Sequence, residues 1–458
     1  MNAPQAHSRW PDAGSSRVPF WAYTDAQVYQ RELDTLFYGR HWCYVGLAVE
    51  IPKVGDYKLS WVGERQVIMV RDRPMPGSSK LESDPNFDSS IRVVENRCAH
   101  RGVRFCHQAM DGKVSNTRSF VCPYHQWTYK LNGDLAALPF KDGVKASGPD
   151  GDCVNGGMPA DFDLKNHGLT KLRVAVLHGL VFATFSDDTE PLEDYLGANV
   201  MPWLDRIFKR PEGSAPITLL GTNRQRIPGN WKLMMENIKD PYHPGLLHTW
   251  FVTFGLWRAD QKSRMVMDAH GRHAVMISRR NEGGENRAVT EGVTSFKASM
   301  TVNDPRLLDV VPEPWWTIPD PSHPDQTITP TVTMITLFPS LIIQQQVNSL
   351  STRHIVPRGA GEFDFVWTHF GFADDTPEMT QRRLRQANLF GPAGFVSADD
   401  GEVIEFSQDG FRQWVSDGQD RGNTLCELGG TGTAMAEHMV TETLIRSMYA
   451  YWKKVMAV

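Results

Sequence analysis

Two short pairs of metal-binding side chains constrain the fold of this chain more than any other feature of its sequence. The first pair is Cys98 and His100, separated by one residue, and the second is Cys122 and His125, separated by two. Four such side chains can hold one metal group only if the loops that carry them meet in space. From residue 42 to about residue 185 the sequence consists of short β-type runs separated by turn signals, including the favoured hairpin turn Asn132-Gly133. The pattern therefore predicts a β-rich domain in which two loops bring the four side chains together.

The presence of one cysteine and one histidine in each pair indicates which metal group the loops hold. A structural zinc site of the finger type takes its two cysteines from one loop and its two histidines from another. A Rieske [2Fe–2S] cluster instead needs two thiolates on one iron and two imidazoles on the other. We therefore predict that Cys98, His100, Cys122 and His125 bind a Rieske [2Fe–2S] cluster. Cys106 lies between the pairs but lacks a matching partner pair, and six cysteines in so long a chain do not make a disulfide framework.

A second group of residues, Asp240, His243 and His248, has the composition of a mononuclear iron site. Two imidazoles and a carboxylate, with coordination positions left open, suit Fe(II) and dioxygen. Two prolines within the helical pattern of residues 231–247 require a bend, which lets His248 turn towards the other two side chains. Asp240 could ligate the metal directly, or it could hydrogen-bond a ligand histidine and orient it.

The adjacent acids Asp399 and Asp400 offer another carboxylate for the same site. They follow a Gly/Pro-rich stretch at residues 391–394. Adjacent acids in such a context also occur in solvated turns and at helix starts, so the pattern alone leaves both interpretations open.

Length and charge limit the possible classes of protein. A chain of 458 residues favours two domains. A formal net charge of -5 gives no reason to expect nucleic acid or an anionic membrane surface as a partner. The N-terminal residues lack the apolar core of a signal peptide, and the most apolar stretch, residues 174–185, is too short to span a bilayer. We therefore expect a cytoplasmic protein that binds neither nucleic acid nor membrane.

The two Cys/His pairs, residues 236–248 and residues 399–401 together resemble the large (α) subunits of Rieske non-haem iron ring-hydroxylating oxygenases, over nearly the whole chain. This resemblance implies that His243, His248 and Asp400 bind the mononuclear Fe(II). It also implies that Asp240 links the iron histidine to His100 or His125 of the partner subunit.

The family resemblance also implies an α+β fold. We expect a β-rich Rieske domain at residues 42–170 and a catalytic domain at residues 171–458, whose antiparallel sheet is flanked by helices in a helix-grip (Bet v1-like) arrangement. Residues 1–41 are expected to add an N-terminal helix to the catalytic domain. Apolar periodicity predicts further helices at residues 378–389 and 437–456, and strands within residues 331–355 and 363–372.

Within the family, residues 223–232, 240–254 and 344–349 resemble the salicylate 5-hydroxylases more than the anthranilate and terephthalate dioxygenases. This implies that one atom of O₂ enters salicylate to give gentisate, with electrons from NAD(P)H passing through a reductase and a ferredoxin. It also implies a small β subunit and an α3β3 or α3 assembly. The alternatives are dihydroxylation of another aromatic carboxylate, such as anthranilate, terephthalate or a substituted benzoate, and a Rieske electron carrier without oxygenase activity. Loops at residues 74–90 and 317–329 depart from the family pattern.

Polar residues in apolar surroundings indicate a substrate pocket, because a small aromatic acid needs an apolar slot with a few polar groups. Ser397 lies three residues before Asp400 and would face the iron on a helix. Gln346 lies in an apolar strand, where an unpaired amide is costly. We therefore expect Gln346 and Ser397 to contact the substrate. Arg353 could bind a substrate carboxylate, although a structural ion pair is the role that its sequence context favours.

Overall fold

The computed structural model describes residues 10, 14–74, 90–106, 115–148, 151–209, 215–248, 262–279, 310–416 and 424–458. The chain divides into two compact units. One unit, here called the β unit, is Tyr38–Thr189, and the other, the mixed unit, combines Met1–Phe37 with Glu190–Val458. The α+β fold expected from the sequence is confirmed. Among the described residues, no helix is both long and apolar enough to cross a membrane.

The β unit is built on a seven-stranded antiparallel sheet. Its strands, in spatial order, are Cys43–Leu47, Leu180–Thr184, Lys171–Leu177, Ile91–Glu95, Arg65–Arg71, Asp56–Val62 and Ser115–Asn116. The hairpin of residues 171–184 pairs with Cys43–Leu47 on one side and Ile91–Glu95 on the other, so this sheet continues past the predicted domain boundary at residue 170. That boundary is too early, because the hairpin of residues 171–184 pairs with strands that lie much earlier in the chain, and the local sequence pattern does not show this pairing.

A smaller three-stranded sheet of the β unit consists of Phe120–Val121, Thr128–Tyr129 and Leu135–Ala137. The turn predicted at Asn132-Gly133 joins the last two strands, and Gly133 has a φ of 88°, a value that side chains with a Cβ rarely adopt. The residues Cys122 to His125 lie in the loop between the first two strands. A separate hairpin pairs Val144–Gly148 with Gly151–Asn155, and 3-10 turns occur at Ala48–Glu50 and Leu164–Asn166.

The mixed unit contains a second seven-stranded antiparallel sheet. Its strands, in spatial order, are Ile217–Ile227, Glu362–Phe372, Ser349–Gly359, Leu341–Gln346, Val332–Leu337, Ala274–Arg279 and Lys262–Met267. The central strand Leu341–Gln346 is buried at every residue, as expected for a strand covered on both faces. Two short pairs complete the strands of this unit: Ile318–Asp320 with His323–Ile328, inside the loop that departs from the family pattern, and Arg17–Pro19 with Leu425–Glu427.

The mixed unit also contains helices, and several of the helices contact the second sheet. The helices are Trp21–Thr24, Ala26–Glu32, Leu192–Leu196, Met201–Phe208, Trp231–Lys239, Pro244–Leu247, Pro377–Phe390, Phe395–Ser416 and Thr443–Met456, with a π turn at Leu33–Phe37 and a 3-10 turn at Pro314–Trp316. The helix Trp231–Lys239 contacts three strands of the sheet, and Pro377–Phe390 contacts two. This arrangement of helices on an antiparallel sheet agrees with the predicted helix-grip fold.

The helical pattern of residues 231–247 is broken where the prolines predicted a break. Asn230 caps the first helix by accepting a hydrogen bond from the backbone N–H of Lys232, and the helix ends at Lys239. The extended backbone of Asp240 follows, and a short helix, Pro244–Leu247, begins after His243. The C-terminal helix begins at Thr443 rather than at the predicted residue 437, because residues 437–442 form no regular structure.

Candidate functional site

The two Cys/His loops of the β unit share one backbone arrangement. The N–H of Cys98 donates to the carbonyl of Val103, and the N–H of Cys122 donates to the carbonyl of Trp127, each over 2.9 Å. In both loops the residue four positions after the cysteine donates back to the cysteine carbonyl, again over 2.9 Å. Each loop is therefore closed on its own cysteine, which holds the thiol in place before any metal binds.

The four predicted cluster ligands lie together with their thiols inside and their imidazoles outside. Cys98 and Cys122 are buried, and each acts on the other electrostatically. His100 and His125 are exposed, and their ring centroids lie 4.7 Å apart. Burial lowers the pKa of His100, assisted by His125 and Arg101, so the neutral, metal-binding form of the imidazole is favoured. A buried sulfur pair and an exposed nitrogen pair match the unequal irons of a Rieske cluster.

Three neighbouring side chains, those of Trp127, Tyr129 and Asn96, contact the two Cys/His loops. The indole of Trp127 is buried and stacks on His100, with centroids 4.7 Å apart and planes 5° from parallel. The hydroxyl of Tyr129 lies 3.1 Å from Cys98 Sγ and accepts a hydrogen bond from the N–H of Ala99. The Asn96 side chain accepts hydrogen bonds from the backbone of Phe105 and Cys106. Tyr129 and Asn96 carry no sequence signal, because their partners are known only once the loops are folded.

In the mixed unit, His243, His248 and Asp400 converge on one point. Each offers one ligand atom, and these atoms all lie within 4.8 Å of one another. Oδ1 of Asp400 is 3.6 Å from Nε2 of His243 and 3.2 Å from Nε2 of His248. Two imidazoles and one carboxylate on the same side of a metal form the facial triad of non-haem Fe(II) oxygenases. The residues present therefore fit an iron ion.

Secondary structure explains how residues so far apart in sequence meet. His243 and His248 stand at the two ends of the short helix Pro244–Leu247, which is possible because the preceding helix ends before Asp240. Asp400 lies in the second turn of the helix Phe395–Ser416. The adjacent acids lie within this helix rather than in a solvated turn, and Asp400 is 5% exposed and directed at the two histidines.

Each of the three converging side chains has a further polar residue beside it. Oδ2 of Asp240 lies 3.3 Å from Nδ1 of His243, on the ring edge opposite Nε2. Oδ2 of Asp399 lies 3.2 Å from Nδ1 of His248. Asn237 donates from Nδ2 to Oδ1 of Asp400 over 3.0 Å. Asp240 thus lies outside the triad, where such partners orient imidazoles and set their tautomer. The residue pattern alone did not separate the roles of Asp399 and Asp400, whereas the family resemblance implied that Asp400 is the ligand.

The three side chains of the triad interact strongly with one another through their charges. Burial lowers the pKa of His243, but contacts with Asp240 and Asp400 outweigh it and raise the pKa to about 9. Burial raises the pKa of Asp400, but the two histidines outweigh this and hold it well below its usual range. A dication placed among these groups takes over the role of the protons on the imidazoles.

A cavity opens directly beside the triad. Its lining is mainly apolar and includes Ile238, Met276, Val332, Met334, Val396 and Met439, with Asn237, Ser278, Gln346 and Arg353 among its polar residues. The prediction that Gln346 contacts the substrate remains a prediction, and its side chain lines this cavity. Ser397 is not among the lining residues within the described chain; its hydroxyl donates to Oε1 of Gln225 over 3.1 Å.

Arg353, a polar residue of the cavity wall, does not have the structural ion pair that its sequence context favours within the described residues. Its side chain is buried, its guanidinium carbon lies 3.8 Å from the ring centroid of Trp367, and burial lowers its pKa to about 9. Within the described residues, Nε of Arg353 has no hydrogen-bond acceptor. The expected structural ion pair is not observed among those residues, and Asp400 is the acid whose charge acts on Arg353.

The chain matches known proteins over both units. Residues 41–147 match the Rieske [2Fe-2S] domain, and residues 214–458 match the ring hydroxylating alpha subunit (catalytic domain). The large oxygenase component of salicylate 5-hydroxylase from Ralstonia sp is 59% identical, over 98% of this chain and 96% of that protein. The anthranilate 1,2-dioxygenase large subunit of Burkholderia cepacia is 38% identical, over 98% and 95%.

A solved structure supports the fold. Naphthalene 1,2-dioxygenase from Rhodococcus sp. superposes with a TM-score of 0.70 at 22% identity, covering 96% of this chain and 94% of that one. The family predicted from the sequence motifs is confirmed.

Proposed function

The chain belongs to the family of Rieske ring-hydroxylating oxygenase alpha subunits, and on this premise we propose that it hydroxylates salicylate at carbon 5 to give gentisate. The family establishes a Rieske [2Fe-2S] domain and a non-haem iron catalytic domain. The choice of salicylate is supported by the 59% identity to a salicylate 5-hydroxylase large component.

The observation that carries the substrate class is the guanidinium of Arg353 in the cavity beside the triad. A buried cation is costly unless an anion compensates it. Since Nε of Arg353 lacks an acceptor among the described residues, a ligand carboxylate can supply one. The apolar lining then accommodates the aromatic ring. An aromatic carboxylate fits this combination, whereas an unsubstituted hydrocarbon would offer no acceptor to Nε of Arg353.

We assign the metal ligands as the motifs and the geometry suggest. Cys98, His100, Cys122 and His125 would hold the cluster, and His243, His248 and Asp400 would hold the iron. Bound iron would supply oxygen activation, and the cluster would supply electrons. Asp240 and Asp399 keep Nε2 of each ligand histidine directed at the metal by contacting Nδ1. Asn237 holds the Asp400 carboxylate in the same way.

The reaction sets the partners. Hydroxylation of one ring carbon by O₂ with release of one water consumes two electrons and two protons. We propose that NAD(P)H supplies the electrons through a ferredoxin reductase and a ferredoxin, in the cytoplasm. We further propose a small β subunit and an α3β3 or α3 assembly, in which Asp240 contacts His100 or His125 of the partner subunit.

Product analysis tests the proposal. The purified oxygenase, combined with reductase, ferredoxin and NADH, is offered salicylate, anthranilate, terephthalate and benzoate under ¹⁸O₂. The expected product of salicylate is gentisate carrying one labelled oxygen atom. Dihydroxylation would instead place two labelled atoms in the product, and consumption of terephthalate or anthranilate with salicylate untouched would overturn the substrate assignment.

A variant distinguishes an oxygenase from an electron carrier. His243→Ala is expected to retain the visible spectrum of the cluster and to form no gentisate. If His243→Ala supported product formation as well as the unaltered protein, the role of the triad would be wrong.

A further inference from the structure

Five oxidisable aromatic side chains form a continuous group in the mixed unit. They are Tyr23, Tyr449, Trp452, Trp10 and Trp21, here called the aromatic chain. The aromatic chain lies outside the cavity and the triad, and the reaction described above does not use it.

The phenols of the aromatic chain share one carboxylate on the helix that adjoins the triad. Tyr23 donates to Oε2 of Glu236 over 3.1 Å, and Tyr449 donates to Oε1 of the same residue. The residue after Glu236 is Asn237, which is hydrogen-bonded to Asp400. Two hydrogen bonds, together with the covalent bonds of Glu236 and Asn237 between them, therefore join the Tyr449 hydroxyl to a proposed iron ligand.

From the phenols the rings continue at nearly constant spacing. The centroid of Tyr449 lies 6.4 Å from that of Tyr23, 6.1 Å from that of Trp452 and 5.8 Å from that of Trp10. Trp21 follows, 6.2 Å from Trp10 and 6.3 Å from Trp452. Trp21 is partly exposed, whereas the other four rings are buried. The aromatic chain thus runs from Glu236, on the helix that also carries Asn237, to the partly exposed ring of Trp21.

The phenols and two of the indoles have a proton acceptor in place. Trp452 donates to Oε1 of Glu32 over 2.8 Å, and Trp10 donates to the carbonyl of Gly14 over 2.9 Å. Burial raises the pKa of Glu236 to about 7, although the two tyrosine hydroxyls lower it. A phenol that loses an electron becomes a strong acid, so Glu236 can take its proton and return it later. Phenylalanine would fill the same space without burying hydroxyls on an ionisable group, which makes a purely packing role a poor explanation.

We propose that the aromatic chain is an escape route that carries oxidising equivalents away from the oxygen site when no substrate consumes them. The proposal rests on the iron site proposed above. In each transfer Tyr449 gives one electron to the oxidising equivalent derived from dioxygen and its phenolic proton to Glu236. Trp452 or Trp10 then returns an electron to the tyrosyl radical, Glu236 returns the proton, and the oxidised state moves on to Trp21. A soluble one-electron reductant, such as a thiol or ascorbate, finally reduces Trp21.

Radical trapping tests the route. The reconstituted holoenzyme is turned over without aromatic substrate, frozen within milliseconds and examined by electron paramagnetic resonance, with ring-deuterated tyrosine to identify a tyrosyl signal. We expect a tyrosyl radical in the unaltered protein and its loss in Tyr449→Phe. In Trp10→Phe/Trp21→Phe/Trp452→Phe the radical should persist longer, because its way to the surface is interrupted.

The number of turnovers before inactivation is a second readout. Without substrate, Tyr449→Phe should inactivate several-fold faster than the unaltered protein, and peptide mass spectrometry should find more oxidation at the residues around the triad. Tyr195→Phe is the matched control, because Tyr195 is also buried and hydrogen-bonded, to the carbonyl of Phe338, but lies outside the aromatic chain. With substrate present, gentisate formation should be unchanged in Tyr449→Phe.

The outcomes separate the route from the proposed function. Gentisate formation together with an undiminished tyrosyl signal in Tyr449→Phe would overturn the route and leave the function standing. The route would also be wrong if Tyr195→Phe shortened enzyme survival as much as Tyr449→Phe. Absence of gentisate in the unaltered protein would overturn the function instead.

Discussion

Replacing Arg353 by methionine separates a substrate-binding role from a structural one. Methionine keeps a flexible apolar side chain in the cavity wall but removes the charge. Because the guanidinium is buried and its Nε lacks an acceptor among the described residues, the substitution should act in opposite directions on stability and on substrate binding.

The stability effect follows from the cost of the buried charge. Burial lowers the pKa of Arg353 to about 9, a displacement that corresponds to at most roughly 5 kcal/mol. Because the protein relaxes around a buried charge, replacing that charge by an apolar side chain raises the free energy of unfolding by only about 1–4 kcal/mol. The stacking on Trp367 that is lost offsets about 0.5–2 kcal/mol of this. The substrate-free variant should therefore unfold at a urea concentration close to or above that of the unaltered protein.

The binding effect should be large and opposite. Removing one partner of a buried charge pair costs about 2–5 kcal/mol, which corresponds to a Kd for salicylate that is roughly 30- to 4,000-fold higher. Calorimetric titration of salicylate under anaerobic conditions measures this, with iron content determined on the same samples. The enthalpy should also become less favourable, since a charge-assisted hydrogen bond is lost.

Arg358→Met is the matched control. Arg358 lies on the same strand, but its Nε donates to the fully buried Asp364 over 2.5 Å. Its replacement should lower stability and leave the Kd for salicylate unchanged. The reasoning about Arg353 fails if Arg353→Met binds salicylate normally, or if it loses as much stability as Arg358→Met.

Three further predictions concern the metal ligands and a buried ion pair. Asp400→Asn should lose the mononuclear iron, whereas Asp399→Asn should weaken iron binding only about 10- to 100-fold, because Asp399 orients a ligand imidazole. Dialysis of the two variants against increasing chelator concentrations measures the difference. Equal losses of iron would contradict the assignment. Iron affinity should rise about tenfold per pH unit and level off near pH 9, because iron must displace the proton that His243 holds below its pKa of about 9. Competition titrations at several pH values measure this, and a flat profile would refute it. Glu32→Gln should destabilise the protein by about 3–5 kcal/mol in urea unfolding. The reason is that the fully buried Lys232, which lies 2.8 Å from Glu32, loses its counter-charge. An unchanged unfolding midpoint would show that the ion pair is dispensable.

Much of each proposed metal site could be predicted from short stretches of sequence. Cysteine and histidine at fixed spacing need no knowledge of distant residues, so the four cluster ligands could be predicted from two short loops. The bend between His243 and the preceding helix followed from proline chemistry alone, and the structure places the helix end at Lys239. The family resemblance added the far more distant Asp400.

Features that depend on contacts across the sheet were not accessible to the sequence. Arg353 lies in the strand Ser349–Gly359, and whether an acid faces it depends on the strands and helices packed around it. The same limit applied to Gln346: only the fold shows that Gln346 lines the cavity while its neighbour Gln345 accepts a hydrogen bond from Arg206 over 2.7 Å. Side chains with several possible partners are assigned by packing, not by spacing.

The two metal sites differ in how much of the chain must exist before they can form. All four proposed cluster ligands belong to the β unit, which is complete at Thr189, while the proposed iron ligands extend from His243 to Asp400. At about 5–20 residues per second, the ribosome needs roughly 10–40 s to add the intervening stretch of about 200 residues. Cluster insertion can therefore begin on a nascent chain, whereas iron has to wait until nearly all of the polypeptide has been made.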